Sequence, residues 1–149
     1  MYIAAGNLFI GSFDLANALK DPLRATKFGI QYYKRPVSLK GYFKFKAGDV
    51  YTDEGAVQKD KKDRFDIYAI MYVSIARISE EDAKETDSWT PFELPFKAVN
   101  GKSIDPVKLQ EGKYKLSIVL SSSVDGAYFK GAVGSTLYVD ELELISEDN

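Results

Sequence analysis

The chain has 149 residues, 45% hydrophobic and 28% charged, with a formal net charge of -2. That suits one domain with its own core and leaves no basic footprint for a nucleic-acid partner. It contains no Cys and no His, which excludes disulfides, thiolate nucleophiles, Ser-His-Asp triads and imidazole metal ligands.

The first strand signals run from Asn7 to Phe13 and from Phe28 to Tyr33, with one possible helical turn between them at Asp14 to Leu19. After Arg35-Pro36 the alternation is clear. Val37, Leu39, Phe43 and Phe45 fall on one face with Gly41 between them, and Ser38, Lys40, Tyr42, Lys44 and Lys46 fall on the other. This is an antiparallel strand with one wet face. The polar stretch from Gly48 to Arg64 reads as a solvated, mobile connection. Phe65 to Val73 is apolar on both parities, as in a central strand whose second face is covered or used for binding. Ser79 to Thr86 is acidic and only weakly periodic. Trp89 to Phe96 aligns Phe92, Leu94 and Phe96, and its Pro91 and Pro95 favour an edge position. Lys113 to Ser121 alternates again, and Asp125-Gly126 is a hairpin signal before a short strand at Tyr128 to Ala132.

The last strand carries a phase break. Leu137 and Val139 share one parity and Leu142 and Leu144 the other. Side chains alternate with a period of two, so all four reach one face only if an extra residue is inserted near Asp140 and Glu141. The expected architecture is all-β, about eight or nine antiparallel strands in a sandwich or jelly roll, as a single domain over 1–149. No apolar run approaches the roughly 20 residues of a membrane-spanning helix, and Met1-Tyr2-Ile3-Ala4-Ala5-Gly6-Asn7 lacks the basic opening of a signal peptide.

Four blocks carry a resemblance. Arg35-Pro36-Val37-Ser38-Leu39-Lys40-Gly41-Tyr42-Phe43-Lys44-Phe45, Asp66-Ile67-Tyr68-Ala69-Ile70-Met71-Tyr72 and Trp89-Thr90-Pro91-Phe92-Glu93-Leu94-Pro95-Phe96 come first, in that order. The Ser121-Ser122-Ser123 to Leu144 stretch closes the set. Together they resemble the putative carbohydrate metabolism domain (PCMD). The resemblance implies a jelly-roll sandwich similar to carbohydrate-binding modules and galactose-binding-like domains. It also implies a C-terminal module whose partners are a glycan and an N-terminal domain of the same precursor. The implied location is secreted or on the outer surface of a Gram-negative gut bacterium. After Tyr72, family members often carry a longer turn, whereas here Val73-Ser74-Ile75 follows directly.

Sugar binding needs flat aromatic faces and a few planar polar groups. Trp89, just outside its strand, is either an exposed platform or a plug at the end of the core. Tyr42, between Lys40 and Lys44, stands on a face that is either merely wet or suited to an acidic or hydroxylated glycan. The Asp66-Tyr68-Tyr72 row is the preferred ligand face. By analogy with related jelly-roll modules, Asp140 is a candidate ligand for structural calcium, joined by the Gly6-Asn7 region and Asp14; the alternative is a bulge carboxylate bonded to nearby backbone. The leading expectation is a non-catalytic carbohydrate-binding-like module of a glycan-utilisation protein. The alternatives are a glycoside hydrolase using a carboxylate pair such as Glu93 and Asp66, or a structural or adhesive sandwich that binds no sugar.

Overall fold

The computed structural model describes residues 5–13 and 26–147. The chain opens with β1 (Asn7–Phe9), β2 (Gly11–Phe13), β3 (Thr26–Phe28) and β4 (Ile30–Gln31), followed by the long β5 (Pro36–Lys46). Next come the hairpin β6 (Tyr51–Asp53) and β7 (Ala56–Gln58), then β8 (Asp66–Met71) and β9 (Ser74–Arg77). The second half holds β10 (Thr86–Pro95), β11 (Lys97–Ala98), α1 (Pro106–Gln110), β12 (Lys115–Ser121), β13 (Lys130–Ala132) and β14 (Thr136–Ser146).

A six-stranded sheet has the order β1-β12-β8-β9-β11, with β4 also paired to β12. A three-stranded sheet has the order β10-β5-β14. The inward residues of these two sheets make one core. Leu39, Phe43 and Phe45 of β5 and Phe92 and Leu94 of β10 pack with Ile67, Ala69, Ala76 and Leu120 of the larger sheet. Phe65 lies between them, its ring centroid 4.8 Å from that of Phe43 and 5.0 Å from that of Phe45. Each buried Leu, Ile or Phe among them contributes roughly 1.5–3 kcal/mol by leaving water. The fold is therefore the all-β jelly-roll sandwich that the residues implied.

Several local expectations change. The described residues form fourteen strands rather than eight or nine, partly because turns split the expected runs. Gly29, at φ 96°, separates β3 from β4, and a Cβ there would lie 2.9 Å from Ser117 Oγ. Tyr72, at φ 52°, ends β8 and turns the chain directly into β9. The Gly48 to Arg64 stretch is not simply a solvated connection. It contains β6 and β7, buries Tyr51 and Asp63, and pairs β6 with β13. Asp125-Gly126 makes no hairpin, because residues Gly126–Tyr128 form a 3-10 turn and β13 pairs with β6 instead of β12.

No helix forms over Ser79 to Thr86, and the possible turn at Asp14 to Leu19 lies outside the described residues. α1 was missed, although its signals were local. Asp105 caps it by accepting from Val107 N–H at 2.8 Å and Lys108 N–H at 3.1 Å, Pro106 opens it, and Gly112 follows it at φ 69°.

β5 keeps its alternation except at its start, where Val37 is exposed and Ser38 is buried. Ser38 lies between Pro95 and Ile145 in register, and its hydroxyl donates to Glu93 Oε1 at 3.3 Å. β10 is the edge strand that its prolines indicated. β14 contains the bulge. Asp140 pairs with Tyr42 and Glu143 with Lys40, so Glu141 and Leu142 together oppose Gly41. Glu141 takes φ 51° there. The inserted residue returns Leu144 to the side of Leu39 while Leu137 and Val139 stay on the core, although Leu142 remains 39% exposed. Gly41 permits this close approach. A Cβ would meet Asp140 O and the Phe92 ring at 3.1 Å.

Candidate functional site

The outer face of the β10-β5-β14 sheet is built by register. Lys40 lies between Glu93 and Glu143, and Tyr42 lies between Pro91 and Asp140. Lys44 opposes Tyr138, and its ammonium sits 4.7 Å from the Trp89 ring centroid and 5.2 Å from that of Tyr138. Three aromatics are thus exposed on one face: Trp89 at 45%, Tyr42 at 40% and Tyr138 at 50%. Each cation–π contact is worth about 0.5–1 kcal/mol at an exposed site and holds ring and ammonium in fixed relation. A cleft of about 450 Å³ adjoins them, lined by Lys40, Tyr42, Pro91, Glu93, Glu141 and Glu143. The bulge brings Glu141 to its rim. Lys40 Nζ lies 3.6 Å from Glu143 Oε2, an exposed pair contributing little stability.

Trp89 and Tyr42 therefore belong to one site. Asp66 and Tyr68 lie on the outer face of the six-stranded sheet, opposite Ser121 and Val119. Asp66 is buried and receives two hydrogen bonds from Arg77, at 3.1 and 2.7 Å. The Arg77 guanidinium lies 5.6 Å from the Tyr68 ring centroid. Donating those bonds to Asp66 holds the Arg77 pKa above its ordinary value. Burial, followed by the Asp66 charge, pushes the Tyr68 phenol up. Tyr72 does not continue this row: it sits in the β8–β9 turn, stacked on Tyr114 with centroids 5.2 Å apart. Glu93 and Asp66 occupy outer faces of different sheets, with the core between them, so they cannot flank one glycosidic bond.

Asp140 and Asn7 stand on strands of different sheets. Asn7, on β1, lines a groove with the inward Leu137 and Val139, whereas the adjacent Asp140 faces outward beside Tyr42. Asp140 Oδ1 accepts from Glu141 N–H at 2.8 Å, and Asn7 Nδ2 donates to Ala5 O at 3.1 Å. Gly6 donates its N–H to Ser122 Oγ. Asp14 lies outside the described residues. Among those residues no group of three acidic side chains could hold a metal.

Sequence reasoning missed Tyr138, Glu141 and Glu143. Tyr138 was legible, because its parity is opposite to that of Leu137 and Val139. Asp63 was passed over within the polar connection, yet its Oδ2 accepts from Ser123 Oγ at 2.6 Å, Ser135 Oγ at 2.7 Å and Ala132 N–H at 3.0 Å. This buried carboxylate gives Ser123 and Ser135 of the Ser- and Gly-rich stretch a structural partner.

The sequence matches the family model of the putative carbohydrate metabolism domain in two consecutive segments, residues 1–74 and 72–145. The chain belongs to this family. The segments of the PCMD match meet at the tight β8–β9 turn, where Val73-Ser74 follows Tyr72 directly. Two crystal structures are similar to it. One, described as a putative glycoside hydrolase from Bacteroides thetaiotaomicron, is 51% identical with a TM-score of 0.93; the match covers 98% of this chain and 48% of that one. The other, described as a putative glycoside hydrolase from Bacteroides vulgatus, is 45% identical with a TM-score of 0.87, covering 97% and 65% respectively. This PCMD chain thus spans about half the length of the first and less than two thirds of the second. No curated protein matches it. Family and neighbours together support a carbohydrate-related role.

Proposed function

We propose that the chain is a non-catalytic carbohydrate-binding module whose ligand lies along the outer face of β5. The observation that carries this reading is the alignment of Trp89, Tyr42 and Tyr138, all exposed, beside a cleft edged with carboxylates. Aromatic rings take the apolar faces of sugar rings, and Glu93, Glu141 and Glu143 offer acceptors for hydroxyls. From Lys44 to Lys40 the face runs about 13 Å at strand rise, enough for an oligosaccharide. The module works within a longer glycan-utilisation protein, secreted or at the cell surface, beside an N-terminal domain. Shares of 48% and 65% of the neighbouring chains support the longer protein. The test is a glycan array probed with the wild type and Trp89→Ala. Hits lost in the variant support the reading, and an array blank for the wild type overturns it.

A second reading is hydrolysis. It is favoured by Glu93 and Glu143 facing the cleft from opposite sides of Lys40, and by neighbours described as glycoside hydrolases. Release of reducing ends from a bound glycan, abolished by Glu143→Gln, would establish it over simple binding.

A further inference from the structure

Resting on the binding reading above, we infer that the face selects an anionic glycan, and that Lys44 is the residue that recognises its acidic group. The cations of this sheet are not equivalent. Lys40 has Glu143 at 3.6 Å and lies between two glutamates in register. Lys44, half-buried at the centre of the aromatic group, has no carboxylate at ion-pair distance among the described residues. Its ammonium is held between Trp89 and Tyr138, whose rings offer no formal charge in return.

The neighbouring recess does not cancel it. That recess is lined by Lys44, Lys46, Glu85, Asp87 and Tyr138. Glu85 is already engaged, accepting from Ala47 N–H at 2.8 Å and from Lys62 Nζ at 2.6 Å. Asp87 alone is left against two lysines. A cation fixed by two rings retains N–H donors for an incoming anion, and charge-assisted hydrogen bonds are roughly twice as strong as neutral ones. A sugar stacked on Trp89 or Tyr138 would bring a carboxylate or sulfate ester within reach of Lys44. The carboxylates of the cleft would meanwhile receive the hydroxyls of the next ring. The face is thus divided into an aromatic, cationic end for the acidic group and an acidic end for neutral hydroxyls.

Calorimetric titration with two matched pairs tests this. One pair is an oligogalacturonate and its methyl ester; the other is a sulfated galactan oligosaccharide and its desulfated form. The wild type should bind the acidic member of at least one pair about tenfold more tightly, with the preference shrinking as salt rises. The pair that shows it tells carboxylate from sulfate. Lys44→Met should erase the preference, Lys44→Arg should keep it, and Trp89→Ala should weaken both members, each variant being cooperatively folded at the titration temperature. Equal affinity for acidic and neutral members, or a preference intact in Lys44→Met, overturns the assignment to Lys44 and leaves the face standing. Binding untouched by Trp89→Ala, or no binding of any probe, overturns the face itself.

Discussion

The two outer faces of the sandwich use the same residue types to opposite ends. On the six-stranded sheet, Asp66 is locked by Arg77 beside the half-buried Tyr68, and nearby Asp63 is closed in by two serines and two backbone N–H groups. On the three-stranded sheet, Tyr42, Trp89 and Tyr138 stand exposed, while Glu93, Glu141 and Glu143 line an open cleft. Polar groups that satisfy each other hold a fold, whereas exposed rings and carboxylates around a cleft have surface left for a ligand. The first face should therefore report on stability and the second on affinity.

Asp63→Ala should break this division most severely on the stability side. It strips the acceptor from four donors, two of them on buried residues, and should lower stability by about 3 kcal/mol, read as a fall in the urea midpoint. Asp63→Asn, which keeps an acceptor, should lose less. Both should bind glycan normally while folded. Trp89→Ala is the reciprocal case. It should weaken glycan binding by about 2 kcal/mol, roughly 30-fold, with little change in the urea midpoint. Asp66→Ala should cost about 1 kcal/mol of stability, because the Arg77 side chain is 56% exposed and well screened.

The remaining effects are smaller. Glu141→Gly should stabilise by about 0.5 kcal/mol, since glycine takes φ 51° without the Cβ conflict, partly offset by its greater unfolded freedom. Thermal melts of the two proteins measure it. Hydrogen bonds from Lys62 and then from Ala47 N–H hold the Glu85 carboxyl below its ordinary 4.5. A carboxyl depressed on folding contributes its stability in full above that ordinary value and loses it as pH falls below. Glu85→Gln should accordingly flatten the acid limb of a melting-temperature profile.

Much of this was legible in the sequence, for a physical reason. Alternation along Pro36–Lys46 and the phase break after Val139 are local consequences of strand periodicity, so the wet face and the bulge at Glu141 could be read directly. The edge position of Trp89's strand followed from its prolines. What could not be read was partnership across the chain. Three of the four donors to Asp63 lie 60 to 72 positions away. Asp66 seemed a free carboxylate on a binding face because nothing local announces Arg77. Tyr72 looked like a continuation of its strand until a positive φ turned it onto Tyr114. Charge and aromaticity are visible in a sequence; whether another side chain already occupies them is not.

The central claim is that ligand lies on the Trp89 face and not on the Asp66 face. Calorimetric titration of one array-identified oligosaccharide into the wild type, Trp89→Ala and Asp66→Ala tests it most directly. Trp89→Ala should lose affinity about 30-fold while Asp66→Ala matches the wild type within about twofold. Loss in Asp66→Ala with Trp89→Ala unaffected would contradict the account.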